Sequence, residues 1–313
     1  MSNLKTEFYN IIKLNKPNIS ESSIEMYSNC IKTFYLQNTK YKTINKKWFL
    51  NHNKILELIK DKSNRTQNII IYAIQAFLGK ENLIEYKNKG VELENQYDKE
   101  MKKNEKSESQ KENWKSHSEI INTYEIYLNN NKHLFKQEKL NEFETQILQN
   151  IIILAVTCGT YFQVRRVKDW IEIKIDGEIS TNADNYIDED EQGIILIFND
   201  YKTAKSKGKQ TINIKKDTEL YNLLTEYIAI KQELKCLYLF TDKNNKKLSN
   251  VTFNQRLNKL YGGHIGSSLI RHIQATDKIN KDIKDNNFSL ERIEKDADGQ
   301  GHSLITHLKY YKN

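Results

Sequence analysis

The spacing of apolar residues changes period along this chain, and that change constrains the fold more than any other feature. From about Asn141 to Thr157, Phe143, Ile147, Ile151, Leu154 and Ala155 recur at helical intervals. Between residues 171 and 214 the period becomes that of a strand. Ile171 to Ile175 alternates apolar side chains with Glu172 and Lys174, and two further short strands are predicted at Gly193–Phe198 and Gln210–Ile214. Lys202 to Lys209 lies between the last two strands, contains Gly208 and reads as a hairpin turn. Helical spacing then returns over Asp217–Lys231, Asn250–Tyr261 and Ser267–Ile279, with two more helices before the end. Three short strands embedded in helices predict an α+β fold, mainly α with a small antiparallel β-sheet.

The first hundred residues show helical spacing alone. Ser20 and Ser22 offer N-caps, and Ser22-Ser23-Ile24-Glu25 has the spacing of a capping box. Ile24, Tyr27, Ile31, Phe34 and Tyr35 follow as one stripe. Trp48, Phe49, Ile55, Leu56 and Ile59 mark a second segment, and Thr66 is placed to cap a third that carries Ile69, Ile70, Ala73, Ile74, Phe77 and Leu78. These stripes are core-forming faces. From about Glu92 to Lys115 the apolar anchors thin out and mixed charge takes over. The organisation expected is a helical domain over residues 1–92, a charged linker over 93–117 with Trp114 packing at its exit, and a mixed domain over 118–313.

With 49 Lys and Arg against 41 Asp and Glu, the formal net charge is +8, which favours a polyanionic partner. The abundance of Lys, Asn and Ile and the single proline also fit an AT-rich genome, such as that of a virus or mobile element. Cys30, Cys158 and Cys236 lie far apart with no neighbouring His at metal-ligand spacing, so no zinc site is expected and the cysteines read as reduced. Residues 1–13 are polar and lack the apolar core of a signal peptide, and the run Ile151–Val156 is too short to span a bilayer. The expectation is an intracellular protein that acts at DNA, makes no membrane contact and needs no metal or other cofactor.

Four segments of the mixed domain carry groups suited to phosphate. Val164-Arg165-Arg166-Val167-Lys168-Asp169 places an arginine three residues before a carboxylate that can hold its guanidinium fork in place. Tyr201-Lys202-Thr203-Ala204-Lys205-Ser206-Lys207-Gly208-Lys209 concentrates four lysines on the connection between strands, a contact for a DNA backbone or a proton donor. Ser267-Ser268-Leu269-Ile270-Arg271-His272 anchors a helix through Leu269, Ile270 and the following Ile273, and aims Arg271 elsewhere. The fourth, Gly301-His302-Ser303, is followed nine positions after His302 by Tyr311, with Tyr310 beside it. Taken singly, each admits a purely structural reading: a solvated pair, a charged turn, a surface arginine, packing tyrosines.

The order of these segments resembles the tyrosine recombinase and phage-type integrase family over most of residues 118–311. The Leu269-Ile270-Arg271-His272 and Gly301-His302-Ser303…Tyr311 boxes are the most specific pieces. The resemblance implies a helical core-binding domain ahead of a catalytic domain, of the kind found in virophage-like and giant-virus-like elements. It implies site-specific cutting and rejoining of double-stranded DNA through a 3′-phosphotyrosine intermediate, by a homo-oligomer that is a tetramer on DNA. Arg166 would be the first catalytic arginine, with Asp169 at the acidic position after it and Arg165 as the fallback. Lys202 would be the catalytic lysine with Lys205 next, and Lys207 and Lys209 would contact DNA. Arg271 would be the second arginine, His302 the histidine beside the nucleophile, and Tyr311 the nucleophile, with Tyr310 one step out of register. Ser268 departs from the pattern, since the family carries a basic residue there; His264 is near but off register. The interval from Arg271 to His302 suggests an inserted turn around Asn280–Asn287. Only Lys312 and Asn313 follow Tyr311, so exchange of a terminal segment between subunits is expected to be minimal or built from other elements. Two other readings share these residues: a type IB topoisomerase-like relaxing enzyme, and a recombinase-fold DNA-binding protein with impaired chemistry.

Overall fold

A computed structural model describes residues 4–175, 181 and 183–312. The chain divides into two compact units after Lys103. The first is all helical: α1 (Leu4–Asn15), α2 (Glu21–Asn38), α3 (Lys46–Leu50), α4 (His52–Ile59), α5 (Asn64–Leu78) and α6 (Ile84–Lys102). The predicted stripes face inward, and Phe8, Tyr35, Phe49 and Phe77 form an aromatic cluster at its centre, with Phe8 and Phe77 5.2 Å apart. Of the two serines offered as caps for α2, Ser20 is the one that accepts from the Ser23 amide, so the Ser22 capping box is not formed; Ser63, and not Thr66, caps α5 by accepting from Thr66 N. Each true cap is extended, which Ser22 and Thr66 inside their helices are not. The charged stretch expected to be linker continues as α6 as far as Lys102.

The second unit opens with α7 (Glu108–Asn113), α8 (His117–Asn131) and α9 (Glu142–Thr157). Three reciprocal capping boxes fix the starts of these helices: Ser107 with Gln110, Ser116 with Glu119, and Asn141 with Glu144. Ile151 to Val156 are all buried, so α9 is surrounded by protein on every side over its last turns. Next come α10 (Val167–Ile171), β1 (Ile173–Lys174), β2 (Asn185–Asp190), β3 (Gly193–Phe198), α11 (Ala204–Lys207) and β4 (Gln210–Lys215). The strands lie in sequence order in one sheet, parallel between β1 and β2 and antiparallel elsewhere. The sheet is therefore mixed, not wholly antiparallel. Ile171 ends a helix instead of opening a strand, and β2 was not anticipated because only its first half alternates in burial. The β3–β4 connection contains a helical turn where a plain hairpin turn was expected.

Then follow α12 (Glu219–Glu233), α13 (Asn250–Tyr261), α14 (Ser267–Lys284), α15 (Leu290–Gly299) and α16 (Leu304–Tyr310). The α+β class holds. Among the described residues no helix is long and apolar enough to cross a membrane. Gly193 pins the β3–β4 register: its φ is +143°, and a Cβ there would lie 2.1 Å from the Ile214 carbonyl oxygen. Gly193→Ala is expected to cost roughly 3 kcal/mol through strain and a forced shift of β4. A guanidinium melt with an unchanged midpoint would contradict this.

Candidate active site

The site is assembled from three segments of the second unit. The chain after α9 delivers Arg165 and Arg166, α14 delivers Arg271 and His272, and the α15–α16 segment delivers Gln300, Gly301, His302, His307 and Tyr310. Gln274 of α14 ties these together. Its Oε1 accepts from Val164 N at 2.8 Å and from Gln300 Nε2 at 3.1 Å.

Arg165 is 1% exposed, and its Nε donates to Asp169 Oδ2 at 3.1 Å. Its Nη1 donates to Gln210 Oε1 and the Gly299 carbonyl, and the guanidinium lies 4.1 Å from the Phe198 ring centre. Asp169 thus pairs with Arg165, not with Arg166 as the three-residue spacing suggested. The reason is local: Arg166 is the extended N-cap of α10, so its side chain leaves in another direction. Arg166 Nη1 donates to the Gly301 carbonyl at 2.7 Å, which also accepts from Thr203 Oγ1 at 3.0 Å. Gly301 has φ +67°, a left-handed conformation that residues with a side chain rarely adopt.

Arg271 is 3% exposed. Its Nη1 donates to the Tyr310 hydroxyl at 2.9 Å, and its Nη2 faces the Gln300 carbonyl at 3.3 Å and His302 Nδ1 at 3.4 Å. None of these partners is a carboxylate. Burial pulls the guanidinium down to about 10, with Arg166 and Arg165 adding repulsion. Arg271 Nε and Arg165 Nη2 have no hydrogen-bond partner among the described residues. Three guanidiniums therefore converge on one neighbourhood in which Asp169 supplies the nearby carboxylate. Such a cluster of donors has the chemistry to take an anion with several oxygens.

The tyrosine that reaches this site is Tyr310. Its ring stacks on His272 at 4.2 Å and 22°, meets His302 edge-on at 4.8 Å, and lies 4.7 Å from the Arg271 guanidinium carbon. His272 Nδ1 donates to the Tyr310 carbonyl at 2.8 Å, and Lys312 N donates to Thr276 Oγ1 at 2.9 Å, so the end of α16 is tied to α14 on both sides of Tyr311. Tyr311 is half-buried just past the helix end, and the contacts to Arg271 and His302 belong to Tyr310.

Lys202, Lys205 and Lys209 are exposed, and Lys207 pairs with Asp298 at 2.6 Å. The segment carrying Lys202 is tied to the arginine cluster through Thr203 and Gly301. Ser268 is exposed in the first turn of α14, one turn before Arg271. His264 is also exposed, held through its backbone by Asn113. Gln210, Gln274, Gln300 and His307 escaped sequence reasoning because amides and an isolated histidine carry no spacing signal.

No protein-family profile matches the chain, and no curated protein matches it in sequence. Among solved structures it is similar to the crystal structure of XerA recombinase, at 15% identity over 99% of this chain and 94% of that one, with a TM-score of 0.41.

Three histidines of the site are held neutral. Burial pulls His272 to about 4, His307 to about 4 and His302 to about 2, with Arg271 adding repulsion to each. The unfolded chain takes up protons on these rings below about pH 6.5, whereas the folded chain does not until near pH 4 or lower. Stability should therefore be full above pH 7 and fall on acidification, by up to about 1.4 kcal/mol per histidine per pH unit. Thermal melts at pH 7.5 and 5.5 check this, and His307→Asn should recover about a third of the loss contributed by these three rings.

Proposed function

We propose that this chain is a site-specific DNA strand transferase that cuts and rejoins duplex DNA through a covalent tyrosine–phosphate intermediate. The observation that carries the reading is the Tyr310 hydroxyl seated on Arg271, beside His302 and next to two further arginines. A phosphodiester repels an oxygen nucleophile, and attack concentrates more charge on the non-bridging oxygens. Buried guanidiniums with unmatched charge and unpaired donors offset that charge where it develops. Arg166 and Arg271 are assigned to those oxygens, and His302 to holding Arg271. Arg165, saturated on one side by Asp169 and Gln210, is assigned to supporting them.

Tyr310 attacks phosphorus as its phenolic proton passes to solvent, the 5′ oxygen departs, and Lys202 supplies the proton that oxygen takes up. Because the phosphotyrosine bond conserves the energy of the phosphodiester, rejoining to a second strand needs no nucleotide cofactor. The nine-residue register from His302 selects Tyr311 as nucleophile, whereas the packing of α16 favours Tyr310, and we assign the attack to Tyr310. Lys202, Lys205 and Lys209 are assigned to the DNA backbone, and the helical first unit to holding the duplex. Exchange between two duplexes requires several active sites, which a homotetramer supplies, in a virus-like or mobile-element setting inside a cell.

The test is a nicked duplex that traps the intermediate, run on a denaturing gel: a covalent protein–DNA band is expected. Its absence on inverted-repeat DNA flanking the gene would favour a DNA-binding protein without chemistry, the reading to which the exposed Ser268 points. Relaxation of supercoils without strand exchange would favour a topoisomerase.

A further inference from the structure

We propose that His307 is a positioning residue, taking the His302 Nε2–H so that the bare His302 Nδ1 faces Arg271 and holds that guanidinium at the site; this rests on the strand-cleavage reading above. The inference follows from donors and acceptors. A guanidinium has only donors, so Arg271 Nη2, 3.4 Å from His302 Nδ1, requires that nitrogen to be the bare acceptor. A neutral imidazole with a bare Nδ1 carries its proton on Nε2. His302 Nε2 lies 3.2 Å from His307 Nδ1, so His302 donates and His307 accepts. The His307 proton is then on its own Nε2, which has no hydrogen-bond partner among the described residues. Both rings are almost fully buried, His302 at 1% and His307 at 0% exposure, so water does not replace either partner cheaply.

His307 comes from α16, the helix that ends on Tyr310, while Arg271 comes from α14. The ring of His302 is therefore clamped between the helix that brings the tyrosine and the helix that brings the arginine. Asp296, Lys278 and Arg271 are the charged groups acting on His307, and Asp296 is itself paired with Lys278 at 2.6 Å. The alternative tautomer would set an N–H against the Arg271 donors, so the His302–His307 hydrogen bond keeps an acceptor turned toward Arg271. Removing the His307 acceptor leaves a buried Nε2–H unpaired, and the ring is free to turn its bare nitrogen away from Arg271.

The test uses the full chain with 15N-labelled histidine, at neutral pH and without DNA, so that its outcome is independent of catalysis. His302 should show a protonated Nε2 and a bare Nδ1. His307→Leu should shift the Nε2 signal or populate the second tautomer, whereas His307→Asn, whose Oδ1 stands near the place of Nδ1, should preserve the wild-type pattern. On a nicked duplex, His307→Leu should slow adduct formation roughly tenfold to a hundredfold, and His307→Asn should restore most of it. A His302 protonated on Nδ1, a His302 spectrum unmoved in His307→Leu, or equal loss of rate in both variants would overturn the proposal. If the wild-type chain forms no adduct at all, the strand-cleavage reading fails, and the spectra alone decide how His307 holds His302.

Discussion

Tyr310→Phe is expected to abolish the covalent protein–DNA band, while Tyr311→Phe leaves it within a few-fold of the wild type. The two residues are adjacent and chemically identical, so composition and bulk charge are the same in both variants. What differs is direction. The Tyr310 ring is fixed on three sides, by His272, His302 and the Arg271 guanidinium, with its hydroxyl 2.9 Å from Arg271 Nη1. A nucleophile held against a cation that will also meet the phosphate has little positional freedom to lose, and such pre-orientation supplies several orders of magnitude in rate. Mapping the adduct by protease digestion and mass spectrometry identifies the residue directly. A band that survives in Tyr310→Phe and is lost in Tyr311→Phe would transfer the role to Tyr311, as the nine-residue register from His302 has it.

Arg271→Met and Arg165→Met should separate chemistry from stability in opposite directions. Arg271 is buried with a hydroxyl, a carbonyl and a ring nitrogen as partners and no carboxylate, so its charge is uncompensated in the resting protein. Replacing it by an apolar side chain of similar length removes a desolvated charge and leaves no buried carboxylate unpaired. Cleavage is expected to fall about 10²- to 10³-fold, while the melting temperature holds or rises. Arg271→Lys should not rescue cleavage, because an ammonium cannot reproduce the fork that spans Tyr310 and Gln300. Arg165 differs because it neutralises Asp169, which is fully buried. Arg165→Met strands that carboxylate and should cost about 3 to 5 kcal/mol of stability. Equal destabilisation by both substitutions would mean that Arg271 is a structural arginine and would remove the main support for an anion site.

Helices α2 and α5, and the stripe shared by α3 and α4, were legible because each buries one continuous stripe, and a stripe of 3.6-residue period is visible in one dimension, whereas α1 was not singled out and the charged second half of α6 read as linker. Strand β4 was legible from its alternation, and β3 as a short continuous apolar run. Strand β2 was not, since Asn185-Tyr186-Ile187-Asp188-Glu189-Asp190 joins the sheet largely through backbone hydrogen bonds to β3 that leave no apolar signature. Helix starts were located only within a few residues. Several serines and threonines stand near each start, and capping depends on which of them is extended.

In the site, the sequence by itself determined the chemical inventory: two arginines at a helix start, lysines between two strands, an arginine and histidine on an amphipathic helix, and a terminal histidine followed by two tyrosines. The tertiary structure decided which member of each adjacent pair does what. Arg165 takes Asp169 while Arg166 takes the Gly301 carbonyl, and Tyr310 takes Arg271 while Tyr311 lies past the helix end. Neighbouring residues on a helix point about 100° apart, so only one of two can face a given neighbour. Which one does so depends on the rotational phase in which α16 packs on α14. Contacts far apart in sequence set that phase, such as His272 with the Tyr310 carbonyl and Thr276 with Lys312 N, and residue spacing does not encode them.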